Sequence, residues 1–245
     1  MRFVALALAA AVALPLSAAT RYAIDIETSG DALQPRHRRA TVLVDGANRR
    51  IDVEQPSAPF TYDVLLSSDG GATFTALNTA RKTWFQPNVV AIVRHPHIAG
   101  GKEATDIRVT TSEEPSESKS VVRVAYTTHE RFGDTKVDAQ HGETILIWTT
   151  NAVDPALAVR AISLITGIAD VDAQLAPAIT RIAGFPMKTM ISATRAYAGG
   201  RPQTITVTAT VSDIRGADAP AHAFERPSDY VHEEPFLGGA KPIIR

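Results

Sequence analysis

The side chains with the widest chemical reach in this 245-residue chain are its seven histidines. His95 and His97 flank Pro96, so a bent loop presents two imidazoles one residue apart. Imidazoles are metal-ligand types, but a zinc site needs three or four protein ligands, and no third donor stands nearby in sequence. His129-Glu130 and His232-Glu233-Glu234 set a base beside carboxylates and fall short in the same way. Hydrolysis would need a nucleophile, a base and an orienting acid brought together. The chain holds no His-Glu-x-x-His, no Gly-x-Ser-x-Gly and no phosphate-binding glycine loop, and its Ser, His and Asp residues do not group into a triad. Cysteine is absent, which removes thiolate metal sites, disulfides and a lipid-modified N-terminal cysteine. These residues lead to an expectation of no enzymatic activity, no metal and no cofactor.

One spacing does carry a motif. Ser67-x-Asp69-x-Gly71-x-Thr73-Phe74 fits the Asp-box pattern of sialidase-type β-propellers, which would point to glycan chemistry. In propellers the box recurs blade by blade, whereas here it occurs once, and no repeat of propeller or solenoid period is present. The same letters also build a tight turn: Asp accepts backbone hydrogen bonds, and the glycines supply positive φ. Residues 61–86 therefore read as two strands about a Ser67–Gly71 turn, followed by a third strand ending in Trp84-Phe85.

The chain opens with Arg2, an apolar run over residues 3–16 and Ser17-Ala18-Ala19. Small residues at −3 and −1 after a short apolar stretch predict a secretory signal peptide, residues 1–19, cleaved after Ala19. A membrane span would need roughly 20 apolar residues. The expected product is exported, soluble and periplasmic. Its expected layout is one domain over residues 20–231 and an extended or flexible tail over residues 232–245. Net charge is −1 and no Lys/Arg-rich block occurs, so nothing favours nucleic acid. Arg36-His37-Arg38-Arg39 is a small basic run that suits a solvated hairpin turn, or attraction to anionic headgroups or an acidic partner. Hydrophobic residues make up 44% of the chain, which excludes global disorder.

Stepping along the chain, apolar residues alternate with a period of two, the mark of half-buried strands. Tyr22/Ile24/Ile26, Ala40/Val42/Val44, Ile51/Val53, Tyr62/Val64/Leu66, Ile107/Val109, Val122/Val124/Tyr126, Ile145/Ile147, Met187/Thr189/Ile191 and Ile205/Val207/Ala209/Val211 are the clearest sets. About eleven strands joined mostly by short turns, such as Asp45-Gly46-Ala47-Asn48, predict an antiparallel meander. Residues 112–118 and 129–142 are polar and read as connections. Residues 88–93 suit either a helical turn or a strand.

Residues 154–184 break the alternation. Asp154 is a candidate N-cap with Pro155 at the first helical position, and Leu157, Ala161, Leu164, Ile165 and Ile168 follow at helical spacing. A second helix fits residues 171–183, with Leu175, Ile179 and Ile182 on one face, a kink or break at Pro177, and Gly184 as its end. A sheet this wide must curl, and these helices are the only apolar elements available to cover its concave side. The fold class is therefore mainly β (α+β): a curved antiparallel half-barrel of about eleven strands plugged by one or two helices. A plug that does not fill the concavity leaves an apolar cavity.

Short motifs spread over residues 21–230 resemble the LolA/LolB superfamily of periplasmic lipoprotein carriers, especially its domain-of-unknown-function relatives. They are Val44-Asp45-Gly46 with Arg50-x-Asp52, Ser68-Asp69-Gly70-Gly71 with Leu77-Asn78 and Trp84, Ile147-Trp148-Thr149-Thr150, Gly184-Phe185-Pro186-Met187, and Phe224-x-x-Pro227-x-x-Tyr230. The connections around Glu113 and His141 have no counterpart in that pattern. The resemblance implies a half-barrel that holds a lipid acyl chain or lipoprotein beneath a helical lid.

On that reading the candidate wall of a hydrophobic site is Trp84, Phe85, Trp148 and Met187, with Leu164, Ile165 and Ile168 on the inner face of the plug. The alternative for the aromatics and Met187 is ordinary core. Arg50 would hold the lid by bonding helix C-terminal carbonyls if it faced inward; alternation leaves an outward-facing Arg50 equally open. The expected partner is a hydrophobic ligand, with an envelope protein as a further possibility. A solidly packed protein-interaction module is the competing function.

Overall fold

The computed structural model describes residues 19–31, 33–54, 62–87, 104–132, 135–159 and 168–233. The signal-peptide reading of residues 1–18, the His95/His97 pair, residues 88–93, Leu164, Ile165 and the tail from residue 234 lie outside the described residues. Among those described, twelve strands form one open sheet. The first half supplies β1 (Ala19–Gly30), β2 (Leu33–Asp45), β3 (Asn48–Val53), β4 (Val64–Ser67), β5 (Thr75–Asn78) and β6 (Thr83–Phe85). The second half supplies β7 (Ala104–Glu114), β8 (Lys119–Phe132), β9 (Thr135–Thr150), β10 (Phe185–Tyr197), β11 (Gln203–Ala217) and β12 (Val231–His232). Their spatial order is β12-β6-β5-β4-β3-β2-β1-β11-β10-β9-β8-β7. Chain neighbours pair antiparallel within each half, and β1 against β11 joins the halves, with Ile24 opposite Val211 and Ile26 opposite Ala209. The two-residue β12 pairs parallel with β6.

Local chemistry sets the tight turns. Gly46 has φ +55° between the paired ends Asp45 and Asn48 of β2 and β3, a conformation that glycine adopts without steric cost. In the β4–β5 hairpin the Asp69 carboxylate accepts from the Thr73 amide at 3.0 Å and the Thr73 hydroxyl at 2.6 Å, while the Gly71 amide donates to Ser67 Oγ at 2.9 Å. These bonds hold the exposed Asp69 carboxyl below the usual carboxylate range, the Thr73 hydroxyl contributing most. The Asp box is a hairpin brace within a single sheet.

Two connections are more ordered than their polarity predicts. Residues 129–132 and 135–142 belong to the long strands β8 and β9, which pair from Lys119–Trp148 to Phe132–Thr135. β7 runs through residues 112–114 before a short 3-10 turn, Pro115–Glu117. The basic run 36–39 lies within β2, not at a turn: Arg39 bonds Asp25 at 3.1 Å and Asp213 at 2.8 Å across neighbouring strands.

The main core covers the concave face, where Tyr22, Ile24, Val42, Val44, Ile51, Leu65 and Ile145 are each at most 1% exposed. Burying each such side chain is worth about 1.5–3 kcal/mol. Over the β7–β9 half this face is covered by α1 (Ala169–Thr180), whose Val171 and Leu175 are buried in the core. Pro177 sits inside α1 without ending it. A proline there forfeits the amide bond to Ala173 and crowds that carbonyl, and just three residues remain beyond it. Of the first expected helix only the start is described, residues 160–167 lying outside the described residues. Asp154 caps it as predicted, accepting from the Ala156 amide at 2.9 Å, but it is a single 3-10 turn, Pro155–Leu157, and Ala158 is already extended. No helix among the described residues is long and apolar enough to cross a membrane.

The opposite, convex face is covered at the other end of the sheet. Residues 217–233 cross the outside of β1–β6, where Ala223 and Phe224 pack with Leu43, and Tyr230 with Val64, Leu66 and Leu77. The expected Phe-x-x-Pro-x-x-Tyr ending is thus a strap, tied down by Lys82–Asp229 at 2.8 Å and Arg81–Glu233 at 2.7 Å.

Candidate functional site

An apolar groove of about 480 Å³ opens between the sheet, residues 155–159 and residues 172–184. Its floor comes from alternate residues of three adjacent strands: Ile147 on β9, Thr189 on β10, and Ala209 and Val211 on β11. Register makes them contiguous, since Ile147 faces Thr189 and Thr189 faces Ala209. One wall is α1 and the residues after it, with Leu175, Ile179 and Ile182, the face that helical spacing marks. The other wall is the extended stretch Ala158-Val159 with Pro155. The floor is shallow-chained, with Ala209 and Thr189 at its centre, and this leaves the space open.

Two buried polar side chains hold the 155–159 wall. The Tyr22 hydroxyl donates to the Leu157 carbonyl at 2.9 Å, and its ring meets Phe185 edge-on with centroids 5.6 Å apart. Burial pushes the Tyr22 phenol well above its ordinary pKa, opposed by a hydrogen bond from the Val159 backbone and by the Arg49 charge. Arg49, 5% exposed, donates from Nη2 to the Ala156 carbonyl at 2.8 Å and from Nη1 to Asn48 O at 2.9 Å. Its buried Nε finds no acceptor among the described residues. The clamp is thus one residue away from the position considered in the sequence. Arg50 points the other way: it donates to Ala223 O at 3.0 Å on the convex strap and to Asp52 at 2.8 Å. A shift of one residue along a strand exchanges faces, so Arg49 shares the concave face of Ile51 while Arg50 takes the convex one.

The other candidates separate in the same way. Trp148 lies on the convex face beside Ile147, with Lys188 Nζ 5.1 Å and Lys119 Nζ 5.7 Å from its ring centroid. Trp84 is also convex, packed with Val64, Leu66 and Tyr230 under Arg226, whose guanidinium is 4.2 Å from the ring. Neither tryptophan reaches the groove. Phe85 faces the concave core next to Tyr62, at 6.1 Å between centroids, but at the far end of the sheet. Ile168 is 2% exposed at the start of α1, and Met187 packs on the core margin at a bulge between Pro186 and Lys188. Both are core around the groove, while Pro186 and Thr189 line it.

A buried polar cluster continues the concave face of β8 and β9. Thr128, His141 and Glu143 are at most 6% exposed. Tyr126 donates to Glu143 Oε1 at 3.0 Å and stacks on His141, with centroids 4.6 Å apart and rings within 5° of parallel. His141 Nε2 lies 2.8 Å from Thr128 Oγ1. The Tyr126 phenol is pushed well above its ordinary pKa, first by burial, then by the Glu143 and Asp172 carboxylates. Asp172 also borders the groove, so one carboxylate stands between the polar cluster and the apolar space. The period-two series Ile147, Ile145, Glu143, His141 places the cluster on the inner face, a signal lost when residues 129–142 are read as a loop.

The sheet and groove define a class of architecture: an open antiparallel half-barrel with an apolar hollow held between its concave face and one helix. No family model matches the sequence, and no curated protein matches it. Among solved structures, the LolA superfamily protein NE2245 from Nitrosomonas europaea is similar at 10% identity and a TM-score of 0.33, covering 86% of this chain and 91% of that one. At that TM-score the likeness adds no weight, and the half-barrel rests on its own strand order and register.

Proposed function

We propose that this chain is an exported, periplasmic, non-enzymatic binding protein that holds a lipid acyl chain or similar hydrophobic ligand in the groove, in the handling of envelope lipids or lipoproteins. The observation that carries this reading is the groove itself. Its volume of about 480 Å³ falls in the range of roughly 300–1,000 Å³ typical of small-molecule sites. Each methylene buried there contributes about 0.8 kcal/mol, so affinity needs no catalytic group. The lipoprotein-carrier motifs in the sequence and the signal-peptide pattern support the same reading. The competing solid-core interaction module requires a filled hollow, which a groove of this size disfavours.

Native mass spectrometry of protein purified from periplasm tests the proposal, together with titration of a fluorescent fatty acid. Bound lipid mass and saturable uptake are expected. Ala209→Leu, which projects into the centre of the floor, should weaken uptake about tenfold while the far-ultraviolet spectrum stays unchanged. A ligand-free spectrum with no fatty-acid uptake would refute the reading. N-terminal sequencing of the fractionated protein should begin at Thr20.

A further inference from the structure

The convex face carries a second depression, on the side of the sheet opposite the groove. Two adjacent ranks of side chains cross β7 to β10 there. One rank runs Arg108–Ala125–Gly142–Thr194, and the next Thr110–Arg123–Thr144–Ser192. Ala125 and Gly142 stand side by side in the first rank, and neighbouring strands lie about 4.8 Å apart, so the sheet has a nearly bare floor two strands wide. Gly142 is not required by its backbone, which has no positive φ, and a Cβ built on it would meet nothing within 4 Å. The absent side chain leaves space above the sheet, within a depression of about 450 Å³.

What borders that space is chemically one-sided. Arg108 and Arg123 stand diagonally on one flank, and the hydroxyls of Thr144, Ser192 and Thr194 on the other. Neither rank contains an acidic residue. No carboxylate among the described residues pairs with either guanidinium. Glu143, although adjacent in sequence to the floor, turns to the concave face and accepts from Tyr126. Guanidinium groups stay charged at any working pH and bond tetrahedral oxyanions through two parallel N–H groups. Hydroxyls on the far flank can also donate to an oxyanion, with that of Thr194 shared with Thr204 at 3.1 Å, around a space open to solvent on one side. The chain's net charge of −1 makes this a local arrangement and not a general basicity.

We propose that this depression binds a phosphate-type oxyanion, the group presented by a phospholipid headgroup or a soluble phosphate ester, with Arg108 and Arg123 as the charged contacts and Gly142 as the residue that keeps the site open. It is independent of ligand uptake in the groove, because the full thickness of the sheet separates the two.

The test uses the full-length processed protein and inorganic phosphate, followed through backbone amide shifts. Saturable shifts centred on Gly142, Thr144 and Ser192 are expected. Arg123→Gln and Arg108→Gln, both at exposed positions, should each weaken phosphate at least tenfold. Gly142→Val keeps both arginines, suits a strand and fills the floor; it too should weaken phosphate at least tenfold, with the remaining amide spectrum preserved. Non-saturating shifts, or phosphate binding that survives Gly142→Val unchanged, would overturn the proposal, since attraction to two surface arginines alone does not depend on the floor. Vesicles of phosphatidylcholine with and without phosphatidylglycerol identify the source. Binding of the anionic vesicles that Gly142→Val abolishes assigns a lipid headgroup; phosphate saturation without vesicle binding assigns a soluble ester. Vesicle binding without phosphate saturation would also overturn it.

Discussion

Arg49→Met isolates the clamp on the groove wall. Methionine keeps the length and apolar contacts of the arginine stem while removing the guanidinium, whose Nη2 holds the Ala156 carbonyl at 2.8 Å. A hydrogen bond from a charged donor contributes about 1.5–3 kcal/mol. The carbonyls of Gly46 and Asn48, also bonded by Nη1, lie at the β2–β3 turn and regain water when the guanidinium goes, so only the Ala156 bond counts in full. Removing the buried, unpartnered Nε relieves a desolvation cost of about 1–3 kcal/mol, which offsets the loss globally. The overall melting temperature should therefore move little, while the hold on residues 155–159 weakens by about 2 kcal/mol. At about 1.4 kcal/mol per tenfold, amides opening by local release should exchange about 30-fold faster. The reporters are the Leu157 and Ala158 amides, bonded to Asp154 O and Pro155 O. Arg50→Met is the control, because it cuts the Ala223 tie on the opposite face and should leave those two amides unchanged. Exchange of Leu157 and Ala158 within threefold of wild type in Arg49→Met, or equal acceleration in Arg50→Met, would refute the clamp.

Three other outcomes follow from single positions. Gly184 has φ +86°, and a Cβ there would lie 3.1 Å from Thr149 Cβ, Thr150 O and Asn151 Oδ1. Gly184→Ala should therefore cost about 2 kcal/mol and lower the melting temperature by about 4–8 °C. Asp69 has a lowered pKa, so its contribution is full above the unfolded carboxylate value of about 3.9 and fades as pH falls towards the folded value. The stability gap between wild type and Asp69→Asn, followed by thermal melts from pH 5 to pH 2, should close on acidification. Tyr62 is pushed up to about 12 by burial, and Tyr126 is raised further by burial and Glu143. The neutral phenols favour the fold below the unfolded tyrosine value of about 10, and that contribution is lost as pH rises through the folded values. In an ultraviolet titration, Tyr126→Phe should remove no ionisation step below pH 12 while the protein stays folded.

Alternation and turn chemistry made the sheet legible, because each strand carries its own period-two record and Gly46 and the Asp69 box mark their turns. They did not say which face curls inward. Trp84 and Trp148 attracted notice by size, yet size does not select a face; their neighbours Phe85 and Ile147 point into the concavity. Arg50 stood open to either face for the same reason. A buried clamp and an exposed tie look identical until the neighbouring strands fix the curvature. The Asp154 cap forms where the Asp-Pro pair places it, but a cap announces a first turn and not its length, and Ala158 is extended. The Thr128–Glu143–His141 cluster escaped notice because polar residues on an inner face resemble a loop until their strand partners are known. The small residues Thr189 and Ala209 form the centre of the floor through what they lack, and a search for large apolar side chains passes over them.

The pairing of β1 with β11 bears on how the protein is made. Every other antiparallel neighbour in the sheet arrives within a hairpin or a single excursion of its partner. Along its whole length β1 must wait for β11, a strand formed late in the chain. At a synthesis rate of roughly 5–20 residues per second, that wait is on the order of ten to forty seconds. During it, the first half of the sheet has an unpaired edge running from Thr20 to Gly30, the kind of strand that recruits wrong partners. A chain built this way gains by staying unfolded until β11 has been made, when the second edge of its first strand can close.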